Sequence, residues 1–182
     1  MKIEEVVETK IAKVLFILTN AISILAFIFL VTITPTKIEE PKQIEETTVI
    51  QEQEKQCLVE ALYFEARSEN IDGIHAVLSV IHNRKESGLF PSTYCEVVKQ
   101  PKQFSYRNEF VHKDMIIKPK PQTKQDKEVL RYIEHISEKA VKEEFTPTLP
   151  RQILWYTTHQ IKRGWVKTKK VYVKIGNHKF MK

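Results

Sequence analysis

CLVEALYFEAR, residues Cys57–Arg67, runs directly into SENIDGIHAVLSVIHNRKESG, residues Ser68–Gly88, and these two stretches decide how the chain folds. In the first, Leu58, Ala61, Leu62 and Glu65 recur at i, i+3, i+4 and i+7, the spacing of one helical face. Glu65 therefore extends an apolar stripe with a carboxyl group. The second places Ile74, Val77, Leu78 and Ile81 at the same spacing after an Asn/Asp start, with Arg84 and Lys85 in its last turn and Gly88 as a stop. Two consecutive helices are expected, the first ending beside an acid that its apolar neighbours would desolvate.

Outward from this pair, PSTYCEVVKQ (Pro91–Gln100) offers Thr93 and Glu96 as a capping box, which predicts a short third helix carrying Cys95. Val129, Ile133, Ile136 and Ala140 recur at helical intervals and predict a fourth. Beyond Glu144, TPTLPRQILWYTTHQ and KKVYVKIGNH are rich in β-branched and aromatic residues and bounded by Pro and Gly, which predicts two short strands. Trp155, Trp165 and most other aromatics are expected inside the small core. From Phe145 to Lys182 there are nine Lys or Arg and no Asp or Glu, so the net charge of +6 is a local property that calls for an anionic partner. Peptidoglycan carboxylates, teichoic acid and phospholipid heads all fit; nucleic acid is set aside because no groove-reading element accompanies the charge. An edge strand guarded by lysines is the simpler alternative.

Towards the N-terminus, Val14–Ile33 is an uncharged apolar run of about twenty residues, long enough to span a hydrocarbon core. A cleaved signal peptide would end at a small-residue site, whereas this run ends in TPTKIEEP. Lys2, Lys10 and Lys13 before it against Lys37 and Lys42 after it lean towards a cytoplasmic N-terminus. The expected organisation is a cytoplasmic segment 1–13, a transmembrane helix 14–33, a flexible Glu/Gln/Thr-rich linker 34–55 and a globular domain 56–182 outside the membrane. Cys57 and Cys95 are the two cysteines. A disulfide between them would add about 4 kcal/mol in the chain-entropy account; two buried thiols are the alternative, and no zinc-type spacing accompanies them.

At Glu65 the chemistry follows from position. A carboxyl flanked by Leu62, Tyr63 and Phe64 is costly to ionise, so its pKa should rise towards the range useful for general acid catalysis, as glycosidases use it. A helix-end ion pair with Arg67 or a later arginine is the competing reading.

Three ordered blocks, CLVEALYFEARSENIDGIHAVLSVIHNR, FPSTYCEVVKQPKQFSY and IGNHKF, resemble the SleB/CwlJ family of cell-wall hydrolases over nearly the whole globular part. The resemblance implies an α+β, mainly helical, lysozyme-like catalytic domain with a small antiparallel sheet near the C-terminus. It implies an enzyme that cleaves peptidoglycan glycan strands, in the manner of a lytic transglycosylase, with Glu65 as acid and no cofactor. A transglycosylase needs one carboxyl, because attack by the muramic acid C6 hydroxyl replaces water, whereas a glycosidase needs two. Glu69, Gln103, Phe104, Ser105 and Tyr156 fall on family positions and are expected to bind or orient substrate. Glu69 could equally be a solvated helix-end carboxylate, Phe104 could be core, and His178 a buried hydrogen-bonding residue. Departures occur at Ser68, where the family has Gly, and at Thr157, where relatives often place His. The competing functions are a zinc-dependent N-acetylmuramoyl-L-alanine amidase using His75, His82, His159 or His178, for which the spacing is poor and exposed histidines are simpler, and a non-catalytic wall-binding protein. The sequence names no activating partner.

Overall fold

The computed structural model describes Phe27 and residues 41–109, 115–160 and 164–182 of the 182. The expected cytoplasmic segment and, apart from Phe27, the expected transmembrane run 14–33 lie outside the described residues; among the described residues no helix is long and apolar enough to cross a membrane. The chain divides into Met1–Gln43 and Ile44–Lys182. The second unit is mainly helical with a small sheet at its end.

Helix α1 spans Pro41–Ala66 and is followed by α2, Ile71–Glu86. Here the structure corrects the linker expectation: the part of 34–55 from Pro41 onward is helix continuous with the first helix of the globular domain, although residues 45–53 are exposed, as their low apolar content requires. Glu54 already belongs to the domain, because its carboxylate accepts from the backbone N–H of Tyr94 at 2.6 Å. That places a negative charge at the N-terminus of α3, Tyr94–Lys99, where orphan N–H groups and the helix dipole favour it. Thr93 caps the same helix by accepting from Glu96 N. Cys57 of α1 and Cys95 of α3 are joined as a disulfide with Cα atoms 5.1 Å apart.

Between Cys57 and Tyr63 every residue of α1 is buried, so this helix is the centre of the domain rather than a half-exposed face. Helix α2 packs Ile74, Val77, Leu78 and Ile81 into the same core and starts at Asn70, whose side chain accepts from Gly73 N at 2.9 Å. Helix α4, Lys124–Val141, opens with a reciprocal Thr123/Asp126 capping box and buries Ile133, Ile136 and Ala140.

Where two strands were expected there are three: β1 Trp155–Thr158, β2 Val171–Ile175 and β3 His178–Met181. They form an antiparallel sheet of order β1-β3-β2, so β3 is central. The extra strand arises because KVYVKIGNHKFM is a hairpin, turning at Gly176 with φ 54°. Phe180 and Met181 of β3 are fully buried, whereas Trp165, expected inside, is 41% exposed.

Polar side chains of α2 hold the segment that enters β1. Ser79 Oγ accepts from Thr148 N at 2.8 Å, Asn83 Nδ2 donates to the carbonyls of Pro150 at 2.9 Å and Ile153 at 3.2 Å, and Arg84 Nε donates to Leu154 O at 2.8 Å. These bonds satisfy an N–H and three carbonyls of an irregular, partly buried segment and fix the position at which β1 presents Tyr156.

Candidate active site

Glu65 lies one residue before the end of α1, where the helix leaves the core and opens onto a cleft of about 410 Å3. Its Oε2 accepts from the Tyr156 hydroxyl at 3.2 Å. Burial raises the pKa of Glu65 above the ordinary carboxylate value; the Tyr156 hydrogen bond and the positive charge of Arg84 oppose that rise. Burial, with Glu65 beside it, in turn pushes the Tyr156 phenol well above its usual range, so Tyr156 serves as a donor.

Arg84 is 4% exposed and lines the cleft. Its Nε is held by Leu154, its guanidinium carbon stands 5.1 Å from the centre of the Phe90 ring, and its Nη1 has no hydrogen-bond partner among the described residues. The arginine that the sequence places in the last turn of α2 therefore faces the acid. One wall of the cleft comes from Lys102, Gln103 and Ser105, the other from Trp155 to Thr158, Trp165, Lys169 and His178. Lys102 adopts φ 65°, uncommon for a residue with a side chain. Among the described lining residues Glu65 is the one carboxyl, facing three cations, Arg84, Lys102 and Lys169.

Gln103, Ser105 and Tyr156 are thus brought to Glu65. Phe104 is not: it is 1% exposed and packed in the core, and its role in the QFS block is to pin the loop so that its flanking residues face the cleft. Glu69 is neither a cleft residue nor a solvated helix end. Its carboxylate accepts from Asn177 N at 2.9 Å and Asn177 Nδ2 at 3.0 Å and lies 3.5 Å from His178 Nδ1. It ties the β2–β3 turn to the start of α2, and a Cβ on Gly176 would sit 1.8 Å from Glu69 Oε2. The departure at Ser68 leaves this strut in place. Burial lowers the pKa of His178, an effect the Glu69 charge opposes.

Five residues escaped the sequence reading. Trp155 and Trp165 looked like core residues but line the cleft, and Lys102 and Lys169 carry no local signature. Glu60, fully buried, accepts from Tyr106 Oη at 3.0 Å, from Ile117 N at 2.7 Å and from Arg107. A charge with Leu58, Val59, Ala61 and Leu62 around it was the available signal, since acids are almost never fully buried unless paired.

Three of the four histidines proposed as zinc ligands are engaged elsewhere, His75 Nε2 with Tyr132 Oη at 2.7 Å, His82 Nδ1 with Tyr94 Oη at 2.8 Å and His159 Nε2 with His178 O at 3.1 Å, while His178 Nδ1 faces Glu69. His75 and His82 are half-buried rather than exposed. Among the described residues no group of three or more His, Cys, Asp or Glu side chains is arranged to hold a metal ion.

Comparison with known proteins bears on this arrangement. The family described as Cell Wall Hydrolase matches residues 68–181, which includes Gln103, Ser105 and Tyr156 and begins just after Glu65. The crystal structure of the catalytic domain of the Bacillus cereus SleB protein is 26% identical, with a TM-score of 0.51, covering 72% of this chain and 91% of that one. The catalytic domain of the germination-specific lytic transglycosylase SleB from Bacillus anthracis is 26% identical, with a TM-score of 0.52 and coverages of 71% and 93%. No curated protein matches the chain. With a family match over more than half its length, and a helical domain and terminal sheet like those of two SleB catalytic domains, the chain belongs to the cell-wall hydrolase family as a SleB-like member.

Proposed function

We propose that the protein is a membrane-anchored lytic transglycosylase that cuts the MurNAc–GlcNAc bond of peptidoglycan outside the cytoplasmic membrane, with Glu65 as both acid and base. The observation that carries this reading is a carboxyl raised in pKa by burial, the one such group among the described lining residues, in a cleft otherwise lined by cations, aromatics, hydroxyls and the Gln103 amide. A retaining or inverting glycosidase places a second carboxyl across the bond. Here the protonated Glu65 donates to the glycosidic oxygen, the C1–O bond breaks and the GlcNAc hydroxyl leaves. The resulting Glu65 carboxylate then takes the proton of the muramic C6 hydroxyl as O6 bonds to C1, which closes a 1,6-anhydro ring and restores the acid without water. Tyr156 holds the carboxyl in place, and Arg84 favours the charged form in which it acts as base. Trp155 and Trp165 offer faces for sugar rings.

The test is mass spectrometry of sacculi digested by the full chain in detergent. Anhydromuramic ends are expected; reducing ends would make it a glycosidase, and free stem peptides an amidase. The anchor is supported by the apolar run Val14–Ile33, and a C-terminal reporter active only outside the cytoplasm should work.

A further inference from the structure

The basic C-terminal segment has an arrangement that catalysis at Glu65 does not use. Strand register pairs Lys174 of β2 with Lys179 of β3, and Lys179 with Thr157 of β1. Register partners share a sheet face, so Thr157, Lys179 and Lys174 form one row across all three strands. Thr157 lines the cleft from the sheet face it shares with Trp155, opposite the face on which Tyr156 meets Glu65, and the row leads from the Trp155 side of the cleft across the sheet. Like charges directly opposite each other are destabilising. Among the described residues neither lysine makes an ion pair, and the segment from Phe145 to Lys182 contains no acid to offset them. Protection of a sheet edge explains Lys174, on edge strand β2, but not Lys179, because β3 is paired on both sides. A repulsive pair kept on a central strand, next to a cleft, points to a ligand that supplies the missing negative charge.

We propose that Lys179 and Lys174 form a track for the carboxylates of the stem peptides carried by the glycan strand, so that peptide-bearing glycan is the favoured substrate over peptide-free glycan. The inference rests on the reading of the cleft as a glycan-cleaving site. Glycan bound along the cleft projects its muramic substituents sideways, and the row begins at a cleft residue and runs sideways from it. Lys169 extends the positive field at the mouth, its Nζ 3.4 Å from the centre of the Trp155 ring.

The test uses full-length protein in detergent carrying Glu65→Gln, so that binding is read without turnover. Three probes are compared: sacculi freed of teichoic acid, the same sacculi stripped of stem peptides by an amidase, and phosphatidylglycerol vesicles. Intact sacculi should bind about tenfold more tightly than stripped ones, the size expected of two partly exposed charge pairs. Adding Lys174→Gln and Lys179→Gln should abolish that difference and leave binding to stripped sacculi unchanged. Lys174→Gln alone, at an exposed position, should remove part of it and guards against misfolding of the double variant. Equal binding of intact and stripped sacculi by the parent overturns the proposal. So does an equal loss on both by the variants, or a loss confined to vesicles, which would assign the lysines to the membrane. Failure of the transglycosylase reading is seen separately, as absence of anhydro ends in the digests of the parent enzyme, whatever the binding data show.

Discussion

Two of the acids of helix α1, Glu60 and Glu65, lie on neighbouring turns, and the regions around them are built to opposite ends. Around Glu60 the structure closes: the side chain is fully buried and receives a tyrosine hydroxyl, a backbone N–H and an arginine. Around Glu65 it opens: the carboxyl borders a cleft, takes one tyrosine hydrogen bond, and has its pKa raised by burial. The difference teaches what a buried carboxyl is for. Donors on several sides turn it into a strut that joins α1 to Tyr106, Arg107 and Ile117, whereas desolvation with few donors leaves it able to hold a proton and hand it over.

The sharpest way to break this comparison is to replace each acid by its amide. Glu65→Gln keeps shape and the Tyr156 contact but has no proton to give, so sacculus cleavage should fall by about 10²–10⁴-fold while the circular dichroism melt stays cooperative. A Glu65→Gln protein that lyses sacculi near the parent rate would remove the acid assignment. Glu60→Gln should do the reverse. It takes away the fully buried charge that the half-buried Arg107 faces, at a cost of about 3–5 kcal/mol in urea unfolding, with the product chemistry unchanged in the fraction that remains folded. Unfolding at the parent midpoint would show that Glu60 is dispensable.

The smallest effect sharpens the contrast through pH. Because burial raises the pKa of Glu65 in the folded state, the fold favours the neutral form. That contribution is complete below the ordinary value of 4.5 and is lost as pH climbs through the raised value. The parent should therefore lose stability relative to Glu65→Gln between acid and neutral pH, and the two curves should run parallel at and below pH 4. A gap that widens towards low pH would mean that Glu65 is held ionised.

How much of this was legible follows from the range of each interaction. Helices α2, α3 and α4 were readable because apolar spacing, Asn70, Thr93 and the capping sequences are local signals. Glu65 was readable for the same reason, as an acid prolonging an apolar stripe. The start of α1 was misread because its exposed turns have no apolar face, and only the continuation into Cys57–Ala66 extends a helix back to Pro41. Phe104, Glu69 and Trp165 were misjudged because a side chain's surroundings depend on distant segments: the core beneath Phe104, the hairpin turn that meets Glu69, the cleft that Trp165 borders.

By itself, then, the sequence determined the helices and their order, the acid at the end of the first, the two cysteines and the sign of the C-terminal charge. Tertiary structure alone decided which groups meet. It brought Tyr156 to Glu65 across 91 positions of chain and Asn177 to Glu69 across 108, and it saturated Glu60 with donors from beyond α1. It also set Lys174 opposite Lys179. Helical spacing acts over a few residues, whereas hydrogen bonding, desolvation and charge depend on distance in space, and the fold alone sets that distance.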